Sequence, residues 1–207
     1  MENIVITIGR QYGSGGKTIG AMLAKALGVN CYGREILKMA SDDSGINERL
    51  FGKMDEDMKQ GGLLKALKRP NDGKLIRPES SGFVSDMNMF NYQAKVIREL
   101  AEKESCVIIG RAADHVLKDY SNVIRVFIHA DEKFCVERAM ERESMDEQEM
   151  KRYITKINKY RADYYKYYTG KEWTDVRNYD LSLNAGVLGF EKCVEEIIAY
   201  RKIRFDL

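Results

Sequence analysis

The sequence predicts an α/β fold in which a parallel sheet lies between two layers of helices. Three observations indicate it. Short β-branched runs alternate with amphipathic helical patterns along the chain. The first run, Ile4–Ile8, is continuously apolar or β-branched, which is typical of a strand covered on both faces. A glycine-rich segment, Gly9–Gly20, joins this strand to the first helix, where parallel sheets commonly place a ligand-binding turn.

The first helix is predicted from apolar residues at helical spacing between Ile19 and Leu27, and Gly28 ends it. A short strand, Val29–Tyr32, follows, and a second helix begins at about Arg34. Strand, helix and strand in this order form the unit from which parallel sheets are built.

The next span, Ser44–Ser85, differs in kind because it holds both prolines, Pro70 and Pro78, and several glycine-containing loop signals. We predict an inserted, mobile excursion with a short helix around Leu63–Leu67. Such an excursion interrupts the alternation of strands and helices without adding a strand to the sheet.

The alternation resumes with a long helix, for which Asp86 is the predicted N-cap. The strand Cys106–Ile109 follows, then a short helix after Gly110 and the strand Val123–His129. Asp131 is the predicted N-cap of the next helix, because a short polar side chain there pairs with free backbone N–H groups.

That helix is expected to run through Arg142. Ser144 and Glu147, three residues apart, predict a capping box and therefore a new helix that continues to about Tyr168. A last strand, Tyr179–Leu183, precedes a C-terminal amphipathic helix. The pattern thus contains five strands separated by helices, which predicts one parallel sheet with right-handed crossovers.

Composition limits the class of protein. The 207 residues fit one domain, 1–207, and 44% of them are hydrophobic, enough for a core. The 34 basic and 32 acidic residues nearly balance, which argues against a nucleic-acid partner. Four scattered cysteines, the absence of a long apolar run and the absence of a leader pattern predict a cytoplasmic protein with no membrane partner.

The glycine-rich segment reads GRQYGSGGKTIG and carries the strongest functional signal. Glycines let backbone N–H groups turn toward a polyphosphate, Lys17 would reach its β- and γ-phosphates, and the Thr18 hydroxyl would bind Mg²⁺. Gln11 stands where the strict motif has its first glycine, and a glycine-rich turn without a ligand stays an open alternative. The candidate cofactor-binding residues here are Gly13, Ser14, Gly15, Gly16, Lys17 and Thr18.

Four arginines are further candidates. Arg111 follows the third strand, at the sheet edge where ligands bind, and its planar fork suits a phosphate. Arg138 and Arg142 lie four residues apart on one helix face, and Arg161 lies beside a stripe of tyrosines. Each could instead be an ordinary exposed arginine. The basic, tyrosine-rich segment 151–170 is more typical of packing than of nucleic-acid binding, although the latter stays open.

An acid that would help to hold the metal is missing after the third strand, because this strand ends in Ile109. Mg²⁺ would then rest on Thr18, water and substrate phosphates, which suits this ion. Asp42, Asp43 and Asp114 are the candidate outer-shell acids, and each could equally be a capping or solvated residue.

Taken in order, six segments resemble the cytidylate kinase-like family, a bacterial branch of the P-loop nucleoside monophosphate kinases. They are ITIGRQYGSGGKTIG, CYGREIL, VIIGRAADHVL, VFIHADEKFCVERAMER, NKYRADYYKYYTGKEW and YDLSLNAGVLGFE. The resemblance implies a P-loop NTPase three-layer sandwich with strand order 2-3-1-4-5, a nucleoside-monophosphate (NMP)-binding excursion over 42–85 and a helical LID over 142–161. It also implies ATP and Mg²⁺ as cofactors and CMP or dCMP as acceptor, with homodimer formation left open.

The resemblance assigns roles by position. Lys17 and Thr18 match the phosphate-loop residues, Arg34 and Arg111 the acceptor ligands. Arg138 and Arg142 match the pair at the ATP site, and Arg161 the LID arginine. Lys17, Arg111, Arg142 and Arg161 are the expected catalytic residues.

Two positions depart from the family, because Gly33 and Asn158 stand where aspartates are usual. A kinase of another small metabolite, a nucleotide sensor without turnover and a nucleic-acid-binding module stay open as alternatives, in that order.

Overall fold

A computed structural model describes residues 3–57 and 73–207. Its centre is a sheet of five parallel strands in the order β2-β3-β1-β4-β5. The parallel sheet that the pattern predicts, and the strand order that the resemblance implies, are both confirmed. The strands are β1 (Val5–Arg10), β2 (Asn30–Tyr32), β3 (Cys106–Ile109), β4 (Val123–His129) and β5 (Leu181–Asn184).

Helices cover both faces of this sheet, so the three-layer sandwich is confirmed. The described helices are α1 (Gly16–Leu27), α2 (Glu35–Ser44), α3 (Glu48–Asp57), α4 (Asp86–Lys103), α5 (Ala113–Val116), α6 (Glu132–Met140), α7 (Glu147–Thr169), α8 (Ala185–Leu188) and α9 (Phe190–Phe205).

The core consists of two layers, one on each face of the sheet. Side chains alternate along β3, so that Val107 packs with Ile6 and Ile8 against α1 and α9, whereas Ile108 belongs to the layer under α4. Ile6, Ile8 and Ile108 are essentially fully buried. Because each such side chain contributes roughly 1.5–3 kcal/mol on burial, the two layers fix β1 rigidly at the centre.

Two predicted helix starts are wrong in detail. The N-cap of α4 is Ser85 rather than Asp86, because the Ser85 hydroxyl accepts the Asn88 N–H at 3.4 Å. The capping box of α7 lies two residues after the predicted one. The Asp146 carboxylate accepts the Glu149 N–H at 2.8 Å, and the Glu149 carboxylate accepts the Asp146 N–H at 3.2 Å.

Other boundaries also shift. Helix α6 ends at Met140 instead of Arg142, because a turn forms in which the Arg142 N–H donates to the Ala139 carbonyl at 3.1 Å. Strand β5 begins two residues after the predicted start. The Arg125 N–H donates to the Asp180 carboxylate at 2.7 Å, whereas in a continuing strand it would donate to a backbone carbonyl.

The span predicted to be an excursion contains a helix that the pattern did not predict, α3. Its described C-terminal part is anchored to α4: the Asn88 side chain accepts the Ile76 N–H at 2.8 Å and donates to the Phe83 carbonyl at 2.7 Å. The helix predicted around Leu63–Leu67 lies outside the described residues. Among the described helices, none combines the length and apolar character that crossing a bilayer requires.

Candidate active site

The glycine-rich loop lies at the carboxyl end of β1, the central strand, and leads directly into α1. Two of its glycines are sterically required. Gly13 has φ +82°, and a Cβ atom there would lie 2.3 Å from the Cys135 carbonyl oxygen. Gly15 has φ +84°, and its Cβ atom would lie 2.3 Å from the Phe190 ring. The loop therefore packs its backbone directly on α6 and α9, which side chains would prevent.

Gln11, which replaces the usual first glycine, ties the loop to the end of β4. Its N–H donates to the Ile128 carbonyl at 3.1 Å, and its side-chain oxygen accepts the Ala130 N–H at 3.2 Å. Ser14 is fully buried, and its hydroxyl donates to the Gln11 and Ile128 carbonyls. The Ser14 side chain therefore stabilises the loop itself, and only the Ser14 backbone N–H is left to contact a ligand.

A cavity of about 160 Å³ lies over this loop. The structure brings three of the predicted arginines, Arg138, Arg142 and Arg161, to this cavity. The Arg142 guanidinium donates to the Thr18 hydroxyl at 3.4 Å, and Arg138 lies over the Phe190 ring at 5.2 Å. Its lining residues are Arg10, Gln11, Tyr12, Gly13, Gly15, Gly16, Lys17, Thr18, Arg138, Ala139, Arg142 and Arg161.

Arg161 lies on α7 and reaches the loop from the side. Its Nη1 donates to the Arg10 carbonyl at 2.9 Å, and its guanidinium lies 5.7 Å from the Tyr12 ring centroid. Burial lowers the pKa of Arg161 to about 10, so the group remains charged at neutral pH. A buried cation beside a phosphate-binding loop is suited to neutralising a polyphosphate.

A second cavity of about 270 Å³ adjoins the first, and the two share Arg10, Tyr12 and Arg161. Five of its thirteen lining residues are aromatic, and Arg111 also lines it. It is lined by Gly9, Arg10, Tyr12, Gly110, Arg111, Ala112, Asp114, Ile157, Tyr160, Arg161, Tyr164, Tyr165 and Trp173.

The backbone that carries Arg111 is strained. Gly110, Arg111 and Ala112 have φ values of +76°, +60° and +49°, a run of three residues in the left-handed region. A Cβ atom at Gly110 would collide with the Arg10 guanidinium, 2.1 Å away. Such strain concentrates at functional sites, and here it fixes the direction in which the Arg111 side chain leaves the sheet edge.

The three candidate outer-shell acids differ in burial and in their hydrogen-bond partners. Asp114 is buried in the wall of the second cavity, where its carboxylate accepts the Tyr165 O–H at 2.6 Å and burial raises its pKa. Asp43 pairs with Lys95 at 2.6 Å, and Asp42 is exposed on α2. None of the three lies at the phosphate loop.

The structure does not bring Arg34 to either cavity, because it is exposed just before α2. Its neighbour Glu35 is a residue that sequence reasoning missed. Hydrogen bonds from the backbone N–H groups of Glu35 and Gly33 lower the pKa of Glu35, and the charges of Lys17 and Arg111 lower it further. A glycine in place of the usual acid, followed two residues later by glutamate, is the signal that could have identified it.

Among the residues that the structure describes, no group of three or more His, Cys, Asp or Glu side chains is arranged to bind a metal ion without other ligands. Thr18, in the first turn of α1, fits the alternative, in which a hydroxyl and phosphate oxygens hold Mg²⁺ together with water.

The central parallel sheet, its strand order and the loop between β1 and α1 are those of a P-loop fold. The chain belongs to the cytidylate kinase-like family, whose model matches residues 5–186.

Individual proteins are similar to this chain in sequence or in structure. A cytidylate kinase from Methanopyrus kandleri is 27% identical over 191 residues, covering 88% of this chain and 84% of that protein. An uncharacterized protein from Eubacterium ventriosum is similar in structure, with a TM-score of 0.71 and 29% identity over 97% of this chain and 99% of its own. Shikimate kinase from Bacteroides thetaiotaomicron shares the fold, with a TM-score of 0.53 and 14% identity over 99% of both chains.

Proposed function

We propose that the protein transfers the γ-phosphoryl group of Mg²⁺-bound ATP to a nucleoside monophosphate, with CMP or dCMP as the first candidates. The observation that carries this proposal is the pair of adjoining cavities. One is built on a phosphate loop and is rich in cations, and the other has aromatic walls and Arg111. They meet at Arg10, Tyr12 and Arg161, where a phosphoryl group would pass from donor to acceptor.

On the donor side, the loop N–H groups and Lys17 hold the triphosphate, and Arg138 and Arg142 border it. Thr18 would contribute its hydroxyl to Mg²⁺, and the bound ion would supply positive charge that offsets the charge of the phosphates. Arg161 neutralises the charge that develops during transfer. Catalysis then depends on positioning and electrostatic stabilisation, because a phosphate acceptor is already anionic and needs no base.

On the acceptor side, Arg111 holds the acceptor phosphate and the aromatic walls pack against the base. Arg34 would join only after α2 turns toward the cavity.

The excursion 42–85 and the LID 142–161 are proposed to close over the substrates and exclude water. In support, Arg142 and Arg161, at the two ends of the LID, both line the donor cavity.

A second candidate is a kinase of a hydroxyl-bearing metabolite. It is favoured by Asp114, because a buried carboxyl group in an acceptor cavity suits a hydroxyl acceptor that must lose a proton. Shikimate kinase shares the fold alone, so it supports only the architecture of this alternative.

The test is an ADP-release assay with CMP, dCMP, UMP, AMP, GMP and shikimate, each compared with a no-acceptor control and with the Lys17→Ala variant. We expect turnover with CMP or dCMP that the variant loses. Turnover with shikimate but with no nucleotide would favour the metabolite kinase. ATP binding without turnover of any nucleotide or of shikimate would contradict the nucleoside monophosphate kinase and favour a sensor or a kinase of a different metabolite.

A further inference from the structure

The leading arm of the phosphate loop, Arg10–Tyr12, contacts helix α7. Two α7 side chains form hydrogen bonds with the backbone of the arm. The Tyr12 N–H donates to Asn158 Oδ1 at 2.8 Å, and Arg161 Nη1 donates to the Arg10 carbonyl at 2.9 Å. Asn158 and Arg161 are three residues apart and therefore lie on one face of α7. One side chain accepts and the other donates, so together they fix both the position and the orientation of the arm.

We propose that Asn158 is a positioning residue that holds the Tyr12 peptide, so that the loop is preformed for a polyphosphate. The inference rests on the proposed function for the identity of the nucleotide. Asn158 occupies a position where the family usually has an acid, and in this structure its amide oxygen accepts a hydrogen bond from the Tyr12 N–H.

The loop needs this contact because its arm departs from the strict motif. Gln11 fastens the arm to β4 on one side through its own N–H and its side-chain oxygen. The next peptide, at Tyr12, is held from the opposite direction by Asn158. The Tyr12 ring adds an edge-on contact to Tyr153 of α7, with ring centroids 5.3 Å apart. The arm is thus held between β4 and α7.

An amide and a carboxylate at this position should differ in their effect on the charge near the loop. Either group can accept the Tyr12 N–H, but a carboxylate would add a negative charge beside a loop that binds anions. The neutral amide keeps the hydrogen bond without repelling phosphate. This predicts a separation of two effects: removing the acceptor loosens the loop, whereas adding a charge weakens nucleotide binding alone.

Two variants and one control separate these effects. Asn158→Ala removes the acceptor, Asn158→Asp keeps an acceptor and adds charge, and Lys156→Ala alters an exposed residue of the same helix. Hydrogen–deuterium exchange over residues 9–18 is measured in the ligand-free protein. The affinity for Mg²⁺·AMP-PNP is measured by calorimetry at low and high salt, and circular dichroism follows thermal unfolding.

For Asn158→Ala, we expect loop exchange roughly fivefold faster and AMP-PNP affinity about three- to tenfold weaker, as loss of one hydrogen bond implies. The thermal midpoint should fall by no more than about 2–4 °C. For Asn158→Asp, loop exchange should match the wild type, while affinity is weaker at low salt and recovers at high salt. Lys156→Ala should resemble the wild type throughout.

Unchanged loop exchange in Asn158→Ala would overturn the inference, as would global unfolding of that variant, which would make Asn158 a residue of the fold. If the wild type binds no AMP-PNP while Asn158→Ala still accelerates loop exchange, the proposed function fails and the positioning role stands.

Discussion

The two cavities that we propose as the donor and acceptor halves of the site are built in different ways. The donor half is built mainly on one continuous segment, 9–18, whose glycines allow its backbone to pack on α6 and α9. Its lining is completed by arginines from later helices and turns, Arg138, Arg142 and Arg161. The acceptor half is assembled from residues far apart in the chain, including Arg111, Tyr160 and Trp173. A site encoded in one segment can be recognised from a motif, whereas a site assembled by the fold becomes visible only once the fold is known.

The two halves also differ in charge. Lys17, Arg138 and Arg142 line only the donor cavity. The acceptor cavity has aromatic walls and the buried Asp114, whose partner Tyr165 lies beside it. Substitutions on the donor side should therefore act on phosphate binding, and those on the acceptor side on acceptor choice and local stability.

The largest effect is expected for Lys17→Ala. Loss of a cation that stabilises the transferring phosphoryl group should lower kcat about 10²- to 10³-fold. The measurement is steady-state ADP release with CMP as acceptor. Lys25→Ala, an exposed lysine of the same helix, is the control and should retain full turnover. Equal activity of Lys17→Ala and the wild type would contradict the proposal that the loop cavity binds the phosphoryl donor.

The next largest effect is expected for Arg111→Ala, which tests whether the acceptor cavity acts separately from the donor cavity. Arg111→Ala should raise the KM for the acceptor about 10- to 100-fold, because a charge-assisted hydrogen bond is lost, and should leave the KM for ATP nearly unchanged. Initial rates with each substrate varied in turn provide the test. Arg34→Ala is compared with it, because Arg34 lines neither cavity in this structure and would join the acceptor site only after α2 turns. Equal effects from both would show that Arg34 belongs to the working acceptor site.

A smaller effect concerns the stability of the acceptor half. Tyr165→Phe removes the O–H that donates to Asp114 at 2.6 Å, and should lower the free energy of unfolding by about 1–3 kcal/mol. Urea denaturation measures it. The same change should cost less in an Asp114→Asn background, because the buried carboxylate is then absent. Additive losses in the double variant would argue that the two groups do not interact.

The smallest effect is a pH response beside the acceptor cavity. Burial lowers the pKa of His115, the neighbour of Asp114, from 6.5 to about 4. The unfolded chain therefore binds more protons than the folded one between these values, so this group lowers stability as the pH falls from about 6.5 to 4. His115→Gln should flatten the curve of stability against pH in that window. An unchanged curve would contradict this assignment.

The donor half was largely predictable from the sequence because its determinants are local. The glycines and Lys17 lie within one run, and the period of the flanking segments placed that run at a sheet edge. Arg10, Tyr12 and Trp173 were not singled out, since nothing in their sequence surroundings shows that the fold brings them together. The sequence shows Asn158 only as a departure from the family, and its hydrogen bond to the Tyr12 N–H supports the positioning role that we propose for it.

The same contrast applies to the fold. Strands β3 and β4 were predicted with their observed limits, because buried β-branched runs depend little on tertiary detail. The helix caps at Ser85 and Asp146 were misplaced, since neighbouring polar residues compete for one backbone N–H and only geometry selects between them.

The most direct test of the central account is the binding of a bisubstrate analogue in which adenosine and cytidine are joined through five phosphates. If the two cavities are donor and acceptor halves of one site, calorimetry should show this compound binding at least about 100-fold more tightly than AMP-PNP or CMP alone, because one molecule engages both halves. Lys17→Ala and Arg111→Ala should each weaken it. An analogue that binds no more tightly than AMP-PNP, and is indifferent to Arg111→Ala, would contradict the account.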